Sequence, residues 1–206
     1  MPCCARHRRA ESSSALRRGR LRARAAARAR TEGVTLVELI TVIAIVAILL
    51  TIGVPSYRYI QNSYRISSEV NGLVGDLQFA RAEAIKEGDT VTACISSDGA
   101  TCATAAGGWQ TGWIVFADLA DNQTVEPGDT ILRVQAPFGG TDTFVSGTGL
   151  GAVTFSREGF ALGLPNGGTT LTLHDATSNP AWTQCLEITV IGMMTVTNHS
   201  ETPGCT

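Results

Sequence analysis

Histidine and isolated basic charge are both scarce over most of this chain, and each scarcity excludes a class of chemistry. Of three histidines in 206 residues, only His174 and His199 lie beyond the first thirty-three positions. They stand in no HExxH or comparable ligand spacing, so both read as surface or internally satisfied side chains. No G-x-S-x-G nucleophile elbow occurs. The glycine-rich run Gly147-Thr148-Gly149-Leu150-Gly151 lacks the strand, helix and lysine of a phosphate loop and reads as a flexible connection. Neither an enzyme nor a bound cofactor is expected.

The basic residues are also unevenly placed. Ten of the sixteen lie in residues 1–33, all of them Arg, against only Glu11 and Glu32. From Val34 onward, Arg58, Arg65, Arg81, Lys86, Arg133 and Arg157 face sixteen acidic residues, a net of −10. A body of that charge with scattered cations repels phosphate backbones, so nucleic acid is disfavoured as a partner. The length suits one medium domain plus an appended segment, and no internal repeat is evident.

The six cysteines divide in the same way. Cys3 and Cys4 belong to the basic segment, whereas Cys94, Cys102, Cys185 and Cys205 belong to the body. An even set of four suits two disulfides in an exported domain, although four cysteines permit three pairings. Cys94 with Cys102 and Cys185 with Cys205 is the favoured pairing, because each bond closes a local loop. Four reduced cysteines, some in the core, is the competing reading.

Residues 34–54 carry a single charge, Glu38. As a helix they extend about 31 Å, enough to cross the hydrocarbon core of a bilayer. The Arg-rich segment before them should stay cytoplasmic by the positive-inside rule, which sends the body to the opposite, oxidising side. Residues 1–30 also have the composition of a mitochondrial transit peptide. A cleaved secretory signal is disfavoured, because TIGVPSY at 51–57 offers no small-residue cleavage site after the apolar run.

A carboxylate this deep in an apolar helix costs about 2.5–3.5 kcal/mol on insertion scales, so Glu38 needs a partner. The bland alternative is an acidic side chain near a helix N-terminus, favoured by the macrodipole and solvated at the interface. Its surroundings, Gly33-Val34-Thr35-Leu36-Val37-Glu38-Leu39, resemble the prepilin processing motif of type IV pilins and type II secretion pseudopilins. The resemblance implies cleavage between Gly33 and Val34 by a membrane peptidase, methylation of the new Val34 amine, and pairing of Glu38 with a neighbouring subunit's terminal amine. Pro55 falls where pilin helices commonly carry a proline. The thirty-three-residue leader is long for the family, and Glu32 stands where a basic residue is common.

After Pro55 the apolar pattern becomes striped. Ile66, Val70, Leu73, Leu77, Ala80 and Ala84 recur at spacings of three and four, one face of an amphipathic helix that should end near Gly88. The stripe is read as core packing. Gly72 and Gly75 each weaken that stretch by about 1 kcal/mol relative to Ala. Strand signals follow at 90–96, 109–118, 130–136, 152–156, 170–174, 185–191 and 194–198, with hairpins turning at Arg157-Glu158-Gly159 and near Gly192. A long helix followed only by strands gives an α+β class, the helix packed on an antiparallel sheet. The expected divisions are 1–33, a cleaved basic leader; 34–54, a transmembrane and assembly helix; 55–88, its amphipathic second half; and 89–206, a periplasmic β-rich domain.

The acidic stretch Asp118, Asp121, Asn122, Glu126 and Asp129 could supply oxygen ligands to Ca2+. It lacks the order of an EF-hand loop, and a solvated acidic turn is the preferred reading.

The order of features from 34 to 205 also resembles the minor pseudopilin H of type II secretion and its pilus relatives FimT and FimU. The residues that carry this are FARAEAIKEG at 79–88, Cys94 and Cys102 around SSDGAT, GWIVFAD at 112–118, Asp129 before ILRVQ, and VTFSREGFALG at 153–163. The resemblance implies a filament subunit of the bacterial inner membrane. Its partners would be other pilins or pseudopilins, a prepilin peptidase and methyltransferase, an inner-membrane assembly platform and membrane lipid. DNA-binding members carry an Arg-containing GRxR-like turn, whereas Gly192-Met193-Met194-Thr195 stands here without Arg.

Overall fold

The structure is a computed structural model that describes residues 33–103, 108–199 and 205. The basic leader, with Cys3, Cys4 and Glu32, lies outside the described residues. By its internal contacts the chain divides into two units, 1–46 and 47–206.

One helix, α1 (Leu36–Glu87), leads the described chain. Within the second unit its stripe of Ile66, Val70, Leu73, Leu77, Ala80 and Ala84 is buried, the six positions that the spacing selects. The helix ends because Gly88 takes φ +75° while its N–H still reaches Ala84 O at 3.0 Å, a left-handed stop that glycine adopts without penalty.

Among the described residues nine strands follow: β1 (Val91–Ile95), β2 (Trp113–Ala117), β3 (Thr130–Gln135), β4 (Thr143–Ser146), β5 (Ala152–Phe155), β6 (Ala161–Leu162), β7 (Gly168–His174), β8 (Gln184–Thr189) and β9 (Met194–Asn198). They form two antiparallel sheets, ordered β3-β2-β1-β5-β6 and β4-β7-β8-β9. The fold is therefore α+β, with the strands divided between two sheets where the sequence pattern suggested one. A single apolar cluster joins the helix stripe to both, through Ala93, Val115 and Phe155 of the first sheet and Phe144, Leu171 and Leu186 of the second. Each large aliphatic or aromatic side chain so buried stabilises the fold by about 1.5–3 kcal/mol.

Two local readings are corrected. Trp109–Thr111 is a 3-10 turn and not the start of β2: Gly108 and Gly112 on either side adopt φ of +72° and +99°, outside the β region of a regular strand. β4 escaped detection: its four residues sit between Gly139-Gly140 and Gly147 and carry one inward apolar side chain, Phe144.

Both favoured disulfides are present. Cys94 is bonded to Cys102 and Cys185 to Cys205, with Cα separations of 5.5 and 5.8 Å.

Polar side chains of the helix fix it to the sheets. Asp76 accepts from Trp113 Nε1 at 2.9 Å and from Arg133 Nη1 at 2.7 Å, and the Arg133 guanidinium lies 3.8 Å above the Phe79 ring centroid. Arg65 donates to Asp142, with Nε 2.7 Å from Oδ2 and Nη2 3.0 Å from Oδ1.

Candidate functional site

The first turn of α1 is capped from within. Thr35 Oγ1 accepts from the Glu38 N–H at 3.2 Å and Thr35 O accepts from Leu39 N–H at 3.1 Å. Thr35 and Glu38 thus occupy the N-cap and N3 positions of a T-x-x-E capping sequence, a signal legible in the chain that the motif reading passed over. Glu38 stands at the positive end of the helix macrodipole, where a carboxylate is favoured. It is exposed, as are all the apolar residues from Val34 to Val46 in the first unit.

The apolar helix residues of the second unit before Pro55 are exposed as well, with Ile52 at 70%. A run of large aliphatic residues turned outward loses burial energy in water and regains it only in lipid or against other helices. Its two hydroxyls are already satisfied, Thr41 Oγ1 donating to Glu38 O at 2.8 Å and Thr51 Oγ1 to Ile48 O at 2.7 Å. Apart from Glu38, the run therefore presents no side-chain polar demand to hydrocarbon. Pro55 lies inside the helix; having no N–H, it leaves the Thr51 carbonyl four residues earlier without its usual helical donor.

At the far end of α1 one cation holds both hairpin turns. Arg81 Nε donates to Gly159 O at 2.9 Å, Nη1 to Gly192 O at 2.9 Å, and Nη2 to Ile191 O at 3.0 Å. The first carbonyl belongs to the β5–β6 turn and the others to the β8–β9 turn, so one guanidinium fastens the two sheets to the helix. The approach is close: a Cβ on Gly192, which has φ +74°, would stand 2.5 Å from Gly159 O and 2.8 Å from Arg81 Nε. The sequence reading treated Arg81 only as part of a helix-end motif, since nothing local in it points to turns 78 and 110 residues away.

The acidic stretch after β2 is a solvated turn at Asp121, Asn122 and Glu126, which are exposed, but its first carboxylate departs from that expectation. Asp118 is fully buried and accepts from Thr92 Oγ1 at 2.8 Å, Asn122 N–H at 3.1 Å and Gln123 N–H at 2.9 Å. Asp129 accepts from Leu119 N–H at 3.3 Å and Glu126 N–H at 2.9 Å, whereas Asp121 is exposed with φ 51°. Asp118, buried, and Asp129, half-buried, shape their own loop. Among the described residues, no group of three His, Cys, Asp or Glu side chains is placed to hold a metal ion. His174 Nδ1 lies 3.2 Å from Thr183 Oγ1, and His199 Nδ1 is buried without a partner among the described residues.

Glu69 is the acid among the described residues whose pKa is raised. Burial, and then the neighbouring Asp142 carboxylate, push its pKa up to about 7, with the Arg65 guanidinium opposing them.

An exposed apolar helix bearing one carboxylate in its first turn, continued by a striped half that packs on antiparallel sheets, is the architecture of the type IV pilin-like class. The family model of the type II transport protein GspH matches residues 69–192, more than half of the chain, and the chain belongs to that family. The fold is that of the type IV minor pilin FimU of Pseudomonas aeruginosa, with a TM-score of 0.51 at 20% identity over 68% of this chain and 92% of FimU. A second crystal form of FimU gives 0.50 at 21% identity, over 67% and 97%. The minor pseudopilin EpsH from the type 2 secretion system of Vibrio cholerae gives 0.46 at 13%, over 66% and 99%. No curated protein matches significantly. The long apolar helix fits a single-pass membrane anchor in this family, whose members are structural subunits that assemble with other pilins.

Proposed function

We propose that this chain is a minor pseudopilin, a structural subunit of a type II secretion pseudopilus that supports protein export across the outer membrane. The observation that carries this reading is the exposed apolar helix, with Glu38 in its first turn, joined to a domain of the GspH family. The precursor is cut between Gly33 and Val34, and the Val34 amine is methylated by the same prepilin peptidase and methyltransferase. Glu38 then has an electrostatic partner in the terminal amine of the next subunit, which offsets its desolvation in the membrane. Pro55 supplies a free carbonyl and a point of lower helical stability where subunits pack. The inner membrane holds the helix, with the domain in the periplasm, and the assembly platform receives it there. Helix packing in lipid favours small and hydroxyl side chains, so Gly53 and Thr41 are contact candidates beside Glu38.

A DNA-receptor role is poorly supported by the geometry. The β8–β9 turn carries no cation of its own, and the one guanidinium beside it, Arg81, already donates to three carbonyls. Arg65, Lys86, Arg133 and Arg157 are likewise engaged with carboxylates.

The test is the extracellular protein profile of a deletion strain. Folded exoproteins are expected to accumulate in the periplasm and to be released on complementation with the parent gene but not with a Glu38→Ala copy. Unchanged secretion with lost surface pili would overturn the secretion assignment and place the subunit in a type IV pilus.

A further inference from the structure

Immediately beyond the apolar run the helix reads Pro55-Ser56-Tyr57-Arg58-Tyr59, all exposed, and Tyr64 follows at 74% exposure. From residue 55 to residue 68 there is no Asp or Glu, and there are two Arg. That segment is locally cationic in a body of net −10. Arg65 is held by Asp142, but Arg58 has no acceptor among the described residues.

The domain continues this surface. Trp182, in the 3-10 turn Pro180–Trp182, lies 5.8 Å from Tyr59, ring centroid to ring centroid. Between residues 176 and 186 no charged side chain occurs. The carboxylates that interact with Arg65 are withdrawn from solvent to different degrees: Asp142 is 2% exposed, Asp175 is 4% exposed and Glu69 is half-buried. Asp175 accepts from Thr177 Oγ1 at 2.6 Å and from Asn179 N–H at 2.8 Å.

We propose that this Tyr-Arg-Tyr segment, with the Trp182 turn beside it, is a phospholipid-headgroup surface that seats the domain on the outer face of the inner membrane. The inference rests on the reading of the apolar helix as membrane-spanning. Two observations select lipid as the occupant. The surface continues the apolar run directly, so the rings of Tyr57 and Tyr59 fall at the depth where amphipathic aromatics concentrate. Arg58, the one cation without an acceptor among the described residues, meets phosphate there, while Asp142 and Asp175 are buried away from the contact. Arg58 reaches a headgroup phosphate with its planar fork, and its aliphatic stem lies along the acyl boundary.

The experiment uses the full-length chain in nanodiscs of phosphatidylethanolamine and phosphatidylglycerol, doped with lipid that carries a nitroxide either just below the headgroup or at the acyl terminus. Trp109 and Trp113 are at most 1% exposed and supply the unquenched background. Trp182 is half-buried and packs with one side on the core. The shallow label is expected to quench a distinct fraction of tryptophan emission, and Trp182→Phe to abolish that fraction while the near-UV circular dichroism of the folded domain is retained. Arg58→Gln should lower the quenched fraction and remove its dependence on phosphatidylglycerol. Shallow quenching that is absent, or that persists unchanged in Trp182→Phe, overturns the proposal. So does a Trp182 that becomes shielded only in assembled filaments, which would assign the surface to a neighbouring subunit. Alkaline extraction of the same samples separates the two claims: a chain released from the discs defeats the spanning reading itself, whereas a retained but unquenched chain defeats only the headgroup contact.

Discussion

Replacing Arg81 by Ala removes the one side chain that fastens α1 to both hairpin turns. Three carbonyls, of Gly159, Gly192 and Ile191, lose charged donors at 2.9, 2.9 and 3.0 Å. A hydrogen bond to a charged group contributes about 1.5–3 kcal/mol net. Arg81 is only half-buried, so water can replace part of each bond, and the three bonds share one side chain and are not additive. The expected loss is about 3 kcal/mol for the set. At ~2–4 °C per kcal/mol for a chain of this size, the thermal midpoint should fall by roughly 6–12 °C. Arg81→Lys keeps the charge, but one ammonium cannot span carbonyls of two turns, so it should recover less than about half of the loss. Thermal unfolding in detergent, followed by near-UV circular dichroism, measures both variants. A change below about 0.5 kcal/mol in Arg81→Ala, the range of an ordinary surface substitution, or full recovery by Lys, would refute the clamp.

Gly72 and Gly75 lie exposed in α1, and a Cβ at either meets nothing within 4 Å. Gly72→Ala and Gly75→Ala should each stabilise the domain by about 0.5–1 kcal/mol in urea titrations, through propensity and a less flexible unfolded chain. Glu69 predicts a pH dependence. Its folded pKa of about 7 lies above the ordinary value of 4.5, so the folded state holds the proton more tightly. Its contribution is complete below the lower value and is lost as the pH rises to the upper one. Glu69→Gln should therefore be stabilising relative to the parent at neutral pH, with the difference vanishing towards pH 4.5; a pH-independent difference would contradict the assignment.

Much of the helix and the positions of most strands along the chain were legible because they depend on local pattern. The three-and-four spacing of Ile66, Val70, Leu73, Leu77, Ala80 and Ala84 marks the buried face whatever packs on it, and Gly88 marks its end. The division into two sheets was not legible, since strand order depends on pairing across distance: β4 joins β7 over an intervening hairpin, and β5 lies beside β1. Asp118 illustrates the same limit. Its sequence neighbours suggest a solvated acidic turn, but Thr92 from β1 and two loop N–H groups draw it fully into the interior. Arg81 was missed because its acceptors are backbone carbonyls, which carry no sequence signature. The capping relation of Thr35 to Glu38 was readable in the chain and was overshadowed by the processing motif.

The central claim is that Val34 becomes the amino terminus of a membrane-anchored filament subunit, and intact-mass and N-terminal fragment analysis of the chain extracted from native membranes tests it most directly. The expected product is a mature species beginning at Val34 and carrying one added methyl group, in the parent and in a Glu38→Ala variant that inserts but does not assemble. A membrane-bound chain that retains residues before Gly33 in cells with an active prepilin peptidase would contradict it.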